Sequence, residues 1–116
     1  MKQFNIVTSY LDGGIILSLS GELDACSSVV ADRAMEAAMN AGQKLLLVDF
    51  QDLHYISSAG IGFFLANLHM SQKQNIALIL YGMQPTIRNI FEVVGLQKIF
   101  LLAESLEDAL MLVHDA

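Results

Sequence analysis

Val48-Asp49-Phe50-Gln51-Asp52-Leu53-His54-Tyr55-Ile56-Ser57-Ser58-Ala59-Gly60-Ile61-Gly62 changes character halfway along, and that change decides the architecture. At its upstream end, Leu45 to Phe50 is a nearly continuous apolar run, the pattern of a strand buried on both faces of a sheet. Downstream, Ile61, Phe64, Leu65 and Leu68 recur at i, i+3, i+4 and i+7, the stripe of a helix that rests one face on a core. Two adjacent hydroxyls, Ser57 and Ser58, stand at the junction, where a helix start leaves amides free to be capped or to meet an anion. The pattern predicts a central strand over 45–50, a short loop carrying His54, and a helix from Ser58 to Lys73.

Working outward, Phe4 to Thr8 and Gly14 to Ser20 read as an antiparallel hairpin, with Asp12-Gly13 supplying the turn chemistry. A helix is predicted from Ser27 or Ser28 to Asn40, with Val29, Val30, Ala34, Ala37 and Ala38 at helical spacing and Gly42 beyond its end. After the Ser58 helix, Ile76 to Tyr81 reads as a strand, Pro85 opens a third helix and Gly95 stops it. A strand over 99–102 and a last helix behind the N-cap Ser105, through Leu106, Leu110 and Val113, complete the order. The expected fold is one α/β sandwich spanning residues 1–116, a mixed sheet with helices packed mainly on one face by right-handed crossovers. The other face can stay partly bare only where it is polar.

The 116 residues suffice for one core, and 54% hydrophobic with 16% charged residues excludes a disordered chain. Apolar runs are of strand length, short of the roughly 20 residues a membrane helix needs, and no secretory leader follows Lys2, so a cytoplasmic location without membrane insertion is expected. Cys26 is the sole cysteine and reads as a small apolar filler. Twelve acidic against six basic side chains give a net charge of −6, which disfavours nucleic acid and suits a partner protein of basic character. His54, His69 and His114 form no triad or metal spacing, and no phosphate-binding loop or dinucleotide fingerprint is present. No catalytic residue, metal or cofactor is expected, and a binding protein is favoured over an enzyme.

Four segments together carry a resemblance: Gly21-Glu22-Leu23-Asp24; the stretch from Val48 to Gly62; Gly82-Met83-Gln84-Pro85; and Phe91-Glu92-Val93-Val94-Gly95-Leu96. The chain resembles the anti-sigma factor antagonists, which have the STAS fold. The resemblance implies a partner switch. The unphosphorylated form binds an anti-sigma factor with GHKL-type serine kinase activity and so releases the sigma factor, phosphorylation of Ser58 abolishes binding, and a PP2C-type phosphatase restores it. One position departs from the pattern, since many phosphorylated members carry an aspartate just before the modified serine where this chain has Ser57.

A phosphate on Ser58 adds a charge of roughly −1.5 to −2, and Asp24, Asp49 and Asp52 are expected at the same sheet edge to crowd it. Glu22 and Asp24 either touch the partner or cap the next helix. Ala59, Gly60 and Gly62 admit either a close partner or tight packing on the sheet. Phe63, Ala66, Asn67 and Met70 form a second helical stripe, read as an exposed anchor in preference to core. The expected partner-binding set is Glu22, Asp24, Ser57, Ser58, Ala59, Gly60, Gly62, Phe63 and Met70. The alternative is a constitutive STAS subunit of a larger assembly, such as a lipid-transport complex.

Overall fold

The computed structural model describes residues 3–114. Strands β1 (Asn5–Leu11) and β2 (Gly14–Leu23) form the hairpin, turning at Gly13 with φ +81, a left-handed conformation that glycine adopts without strain. Helix α1 (Ser28–Met39), β3 (Leu45–Ile56), α2 (Ser58–Lys73), β4 (Ala77–Tyr81), α3 (Pro85–Val93), a 3-10 turn (Leu96–Lys98), β5 (Leu101–Ala103) and α4 (Leu106–His114) follow. The sheet order is β1-β2-β3-β4-β5, with every pair after the hairpin parallel. This is the mixed-sheet α/β sandwich that the order of apolar segments predicts.

Alternation along β3 divides the interior. Leu46, Val48, Phe50, Leu53 and Ile56 face the larger core, shared with Met35 of α1, Phe64 of α2, and Ile87 and Phe91 of α3. Phe50 is its hub, with ring centroids 5.1 Å from Phe64 and 6.2 Å, edge-on, from Phe91. Leu45 and Leu47 face the other way, joining Ile79, Tyr81 and Ala109 beneath α4. Helix α4 covers that face over β4, β5 and the start of β3; further along β3, the register places Ser18 beside Asp49 and Ser20 beside Asp52, polar residues that tolerate water. Among the described residues no helix is long and apolar enough to cross a membrane.

Five sequence expectations are corrected. Strand β3 does not end near Phe50 but runs on to Ile56, so His54 lies on a strand and not in a loop; register shifts against β2 at Ser18/Ser20 and Gly21/Glu22 break the alternation that would have revealed it. In α1 the buried positions are Ala31, Met35, Ala38 and Met39, while Val29 and Val30 are more than half exposed and Ala37 is also exposed. In α2, Leu65 lies outside and Phe63 inside. Cys26 is exposed instead of filling the core. The last strand starts at Leu101, two residues late, because the chain leaves Gly95 (φ +81) into the 3-10 turn.

Candidate functional site

Helix α2 begins where β3 emerges from the sheet. Ser57 is its N-cap, in extended conformation (φ −88, ψ 172), and its Oγ accepts from the Gly60 amide at 3.2 Å. Its own amide donates to the Leu23 carbonyl at 2.9 Å, tying the start of α2 to the end of β2. Because Ser57 does the capping, Ser58 sits at the first helical position with its side chain exposed. Of the two hydroxyls left open by the sequence, the structure uses one for folding and presents the other to solvent.

The neighbouring β2–α1 connection is held by Asp24 and Ser27. The Asp24 carboxylate accepts from the Ser27 amide at 2.9 Å and lies 3.0 Å from Ser27 Oγ, and Ser28 Oγ donates to the Asp24 carbonyl at 2.7 Å. The Ser27 amide, then the Ser27 hydroxyl, hold the Asp24 carboxyl below its ordinary value of 3.8, so it is anionic at neutral pH. Asp24 thus orders the turn that enters α1. Register places Glu22 beside Tyr55 and Leu23 beside Ile56, bringing Glu22 and Asp24 to the same end of the sheet as Ser57 and Ser58. A groove of about 260 Å³ opens there, lined by Phe4, Glu22, Asp24, Cys26, Ser27 and Val30.

The two glycines of the helix start have opposite reasons. A Cβ on Gly60 would lie 2.8 Å from Ile56 Cγ1 and 3.0 Å from the Leu23 carbonyl oxygen, so Gly60 is buried against its own sheet and gives a partner nothing to touch. Gly62 has nothing within 4 Å of that position. It lies one turn beyond Ser58 on the same side of the helix, an exposed face continued by Leu65, Ala66 and His69. Phe63 is withdrawn from the proposed anchor set, being 8% exposed and packed edge-on against Phe64 at 5.0 Å. Met70 is 43% exposed, but twelve residues of helix put it about 18 Å from Ser58. It lines a separate α1–α2 groove with Asp32, Glu36, Met39 and Asn67.

The expected crowding by three aspartates is corrected as well. Only Asp24 lies near Ser58. Strand β3 separates Asp49 from Ile56 by seven residues, about 23 Å at the usual strand rise, and Asp52 by four, about 13 Å. Both exceed the Debye length of about 8 Å at physiological salt. Asp49 instead accepts from the Gln51 amide at 2.9 Å and from Ser18 Oγ at 3.4 Å, and bonds Tyr81. The residues that sequence reasoning missed are Tyr55, Leu65 and Val30, half-exposed apolar side chains around this end.

The Gly82-Met83-Gln84-Pro85 segment closes the adjacent side. Gly82 has φ +77, and a Cβ there would lie 2.6 Å from Gln51 Cγ. Gln84 Nε2 donates to the Gln51 carbonyl at 2.9 Å and lies 3.3 Å from His54 Nδ1. Among the described residues no group of three His, Cys, Asp or Glu side chains is placed to hold a metal ion.

Fold and site together define a class: an α/β sandwich with its helices mostly on one face and a serine-bearing helix start exposed at the end of the sheet. The chain belongs to the STAS-domain family, whose sequence profile matches residues 5–109. It is 29% identical over 99 residues to BtrV of Bordetella bronchiseptica, 85% of each chain. The anti-sigma-B factor antagonist of Listeria monocytogenes is 26% identical over 85 residues, 73% of this chain and 75% of its own. Among solved structures, an anti-sigma factor antagonist from Mycobacterium paratuberculosis matches with a TM-score of 0.87 at 24% identity, covering 97% of this chain and 95% of that one. The anti-sigma factor antagonist SpoIIAA in its unphosphorylated form matches with a TM-score of 0.77 at 22% identity over 98% of each chain. At such identities the structural likeness establishes the fold.

Proposed function

We propose that this chain is a cytoplasmic anti-sigma factor antagonist that works by switching partners and catalyses no reaction itself. Unphosphorylated, the surface around Ser58, with Glu22, Asp24, Ala59 and Gly62, docks an anti-sigma factor of the GHKL-type serine kinase class. The kinase transfers the γ-phosphoryl group of ATP to Ser58 Oγ, which loses its proton as the β–γ phosphoanhydride bond breaks and ADP leaves, and the phosphoserine no longer fits. A PP2C-type phosphatase restores the hydroxyl by hydrolysis.

The observation that carries this reading is the division of labour between Ser57 and Ser58. Capping by Ser57 leaves the exposed Ser58 side chain available to a kinase without undoing the helix start. Serine and aspartate are comparable N-caps, so Ser57 can do the structural work of the aspartate found in many phosphorylated relatives. Gly62 supports the surface, since a solvent-facing glycine costs helix stability without any neighbour in the fold requiring it.

The test is phosphoryl transfer from ATP by the anti-sigma kinase purified from the same cells, read by intact mass and fragment mapping. One phosphate at Ser58 and loss of kinase binding by the product are expected. Transfer to Ser57, no transfer by a kinase that binds, or undiminished affinity of the phosphorylated form would overturn the switch. The last result would favour a constitutive subunit.

A further inference from the structure

The groove between α1 and α2 is built from matching stripes of two helices. Asp32, Glu36 and Asn40 follow one another at every fourth residue along α1, with Met39 beside them, and Asn67, Met70 and Gln74 line the facing side of α2. From Asp32 to Asn40 the groove runs for about 12 Å, a little over two helical turns, and its volume is about 420 Å³.

Its polar features all have the same sign. Among the described residues neither Asp32 nor Glu36 has an ion-pair partner, the pairs belonging to Arg88, and no lining side chain is basic. Asn67 commits its amide to the Phe63 carbonyl at 2.8 Å, so its side-chain oxygen is left to accept. The foot of the groove is formed by Asn40 and Gln74, the C-caps of the two helices, where open carbonyls concentrate negative partial charge. Helix α1 has no basic residue in its last turn to offset that charge. Between these acceptors lie two methionines, Met39 at 6% and Met70 at 43% exposure, a flexible and polarisable floor.

We propose that this groove is a second docking surface, whose occupant is a basic amphipathic helix of a partner protein. Its arginine or lysine heads meet Asp32 and Glu36, while their methylene stems and the apolar side chains between them lie on Met39 and Met70. Charge selects the occupant: a second copy of this chain at net charge −6, nucleic acid and anionic lipid are all repelled. Shape selects a helix, since two helical stripes flanking an apolar floor form the kind of channel into which an amphipathic helix lays one face. Met70 lies about 18 Å from Ser58, so the inference is independent of the proposed switch.

Amide NMR titration of the full chain with a synthetic helical peptide of two heptads, leucine and arginine sharing one face, tests it. Shifts should concentrate at residues 32–40 and 67–74, and the same peptide with glutamate for arginine should produce none. Asp32→Asn with Glu36→Gln should weaken binding at least about threefold at low salt. Met70→Arg, which places a cation in the groove from within, should weaken it at least about tenfold. Ser58→Asp should change the affinity less than about twofold, its charge lying beyond screening distance. Binding of the glutamate peptide, shifts centred on Ser58 and Asp24, affinity indifferent to the groove variants, or no shifts at millimolar peptide would overturn the proposal. Groove shifts that grow with protein concentration alone, or that spermidine matches, would also overturn it, assigning the groove to a second copy or to a small polycation. The three altered side chains of the groove are exposed, and circular dichroism checks their folding; if Met70→Arg does not fold, the carboxylate pair decides.

Discussion

Gly60 and Ile56 are packed so closely that a Cβ on the glycine would stand 2.8 Å from Ile56 Cγ1. The start of α2 is thereby clamped onto the strand that precedes it, and the position of Ser58 follows from this contact and from the Ser57 cap. Gly60→Ala is expected to destabilise. Overpacking typically costs about 1–3 kcal/mol, more than the roughly 1 kcal/mol that alanine returns in helix propensity. Gly62→Ala, with open space around it, should stabilise by up to about 1 kcal/mol while weakening kinase binding. Urea unfolding of both variants, beside a binding titration of Gly62→Ala, checks the contrast; the same sign of stability change at both glycines would contradict it.

Ser57→Ala should lower stability by about 0.5–2 kcal/mol through loss of the bond to the Gly60 amide. Ser57→Asp should keep the cap and add a favourable charge at the helix start, so its melting temperature should equal or exceed that of wild type. Thermal unfolding by circular dichroism separates the two. A neutral Ser57→Ala would mean that the clamp at Gly60 alone sets the helix start.

Tyr81 gives the fold an alkaline limit. Burial, and then the charge and hydrogen bond of Asp49, push its phenol from 10.0 up to about 12. A raised value means that the folded state holds the proton more tightly than the unfolded one. The associated stability is complete below pH 10 and is lost as pH rises toward 12. Tyr81→Phe should flatten the fall in melting temperature across that window relative to wild type. A parallel fall in both proteins would place the alkaline sensitivity elsewhere.

Element order, the hairpin, the start of α2 at Ser58 and the capping serine pair were legible in the sequence because each rests on local chemistry: apolar periodicity, an Asp-Gly turn, adjacent hydroxyls before a helix. What was not legible depends on where elements lie relative to one another. Nothing in helical projection distinguishes Phe63 from Leu65, because α2 is apolar nearly all round, and only its tilt on the sheet sends one inward and the other out. Strand β3 beyond Phe50 escaped notice because its register shifts against β2 spoil the period of two. Asp49 and Asp52 look close to Ser58 only while the segment after Phe50 reads as a short loop; an extended strand carries them away.

That extension decides the electrostatics of the switch. With Asp49 and Asp52 beyond screening distance, Glu22 and Asp24 are the carboxylates left to repel added charge at Ser58. Ser58→Ala should bind the kinase constitutively and remain folded, since Ser57 keeps the cap. Ser58→Asp should impair binding less than phosphorylation does, because a carboxylate brings about one negative charge where phosphate brings nearly two. If repulsion dominates, raising ionic strength should partly rescue Ser58→Asp, and Glu22→Gln in the same chain should reproduce part of that rescue, whereas Asp52→Asn should not. Titrations of these variants against one kinase preparation at low and high salt measure each term. Rescue by Asp52→Asn equal to that by Glu22→Gln would show that the partner, and not the register of β2 with β3, gathers the charges around Ser58.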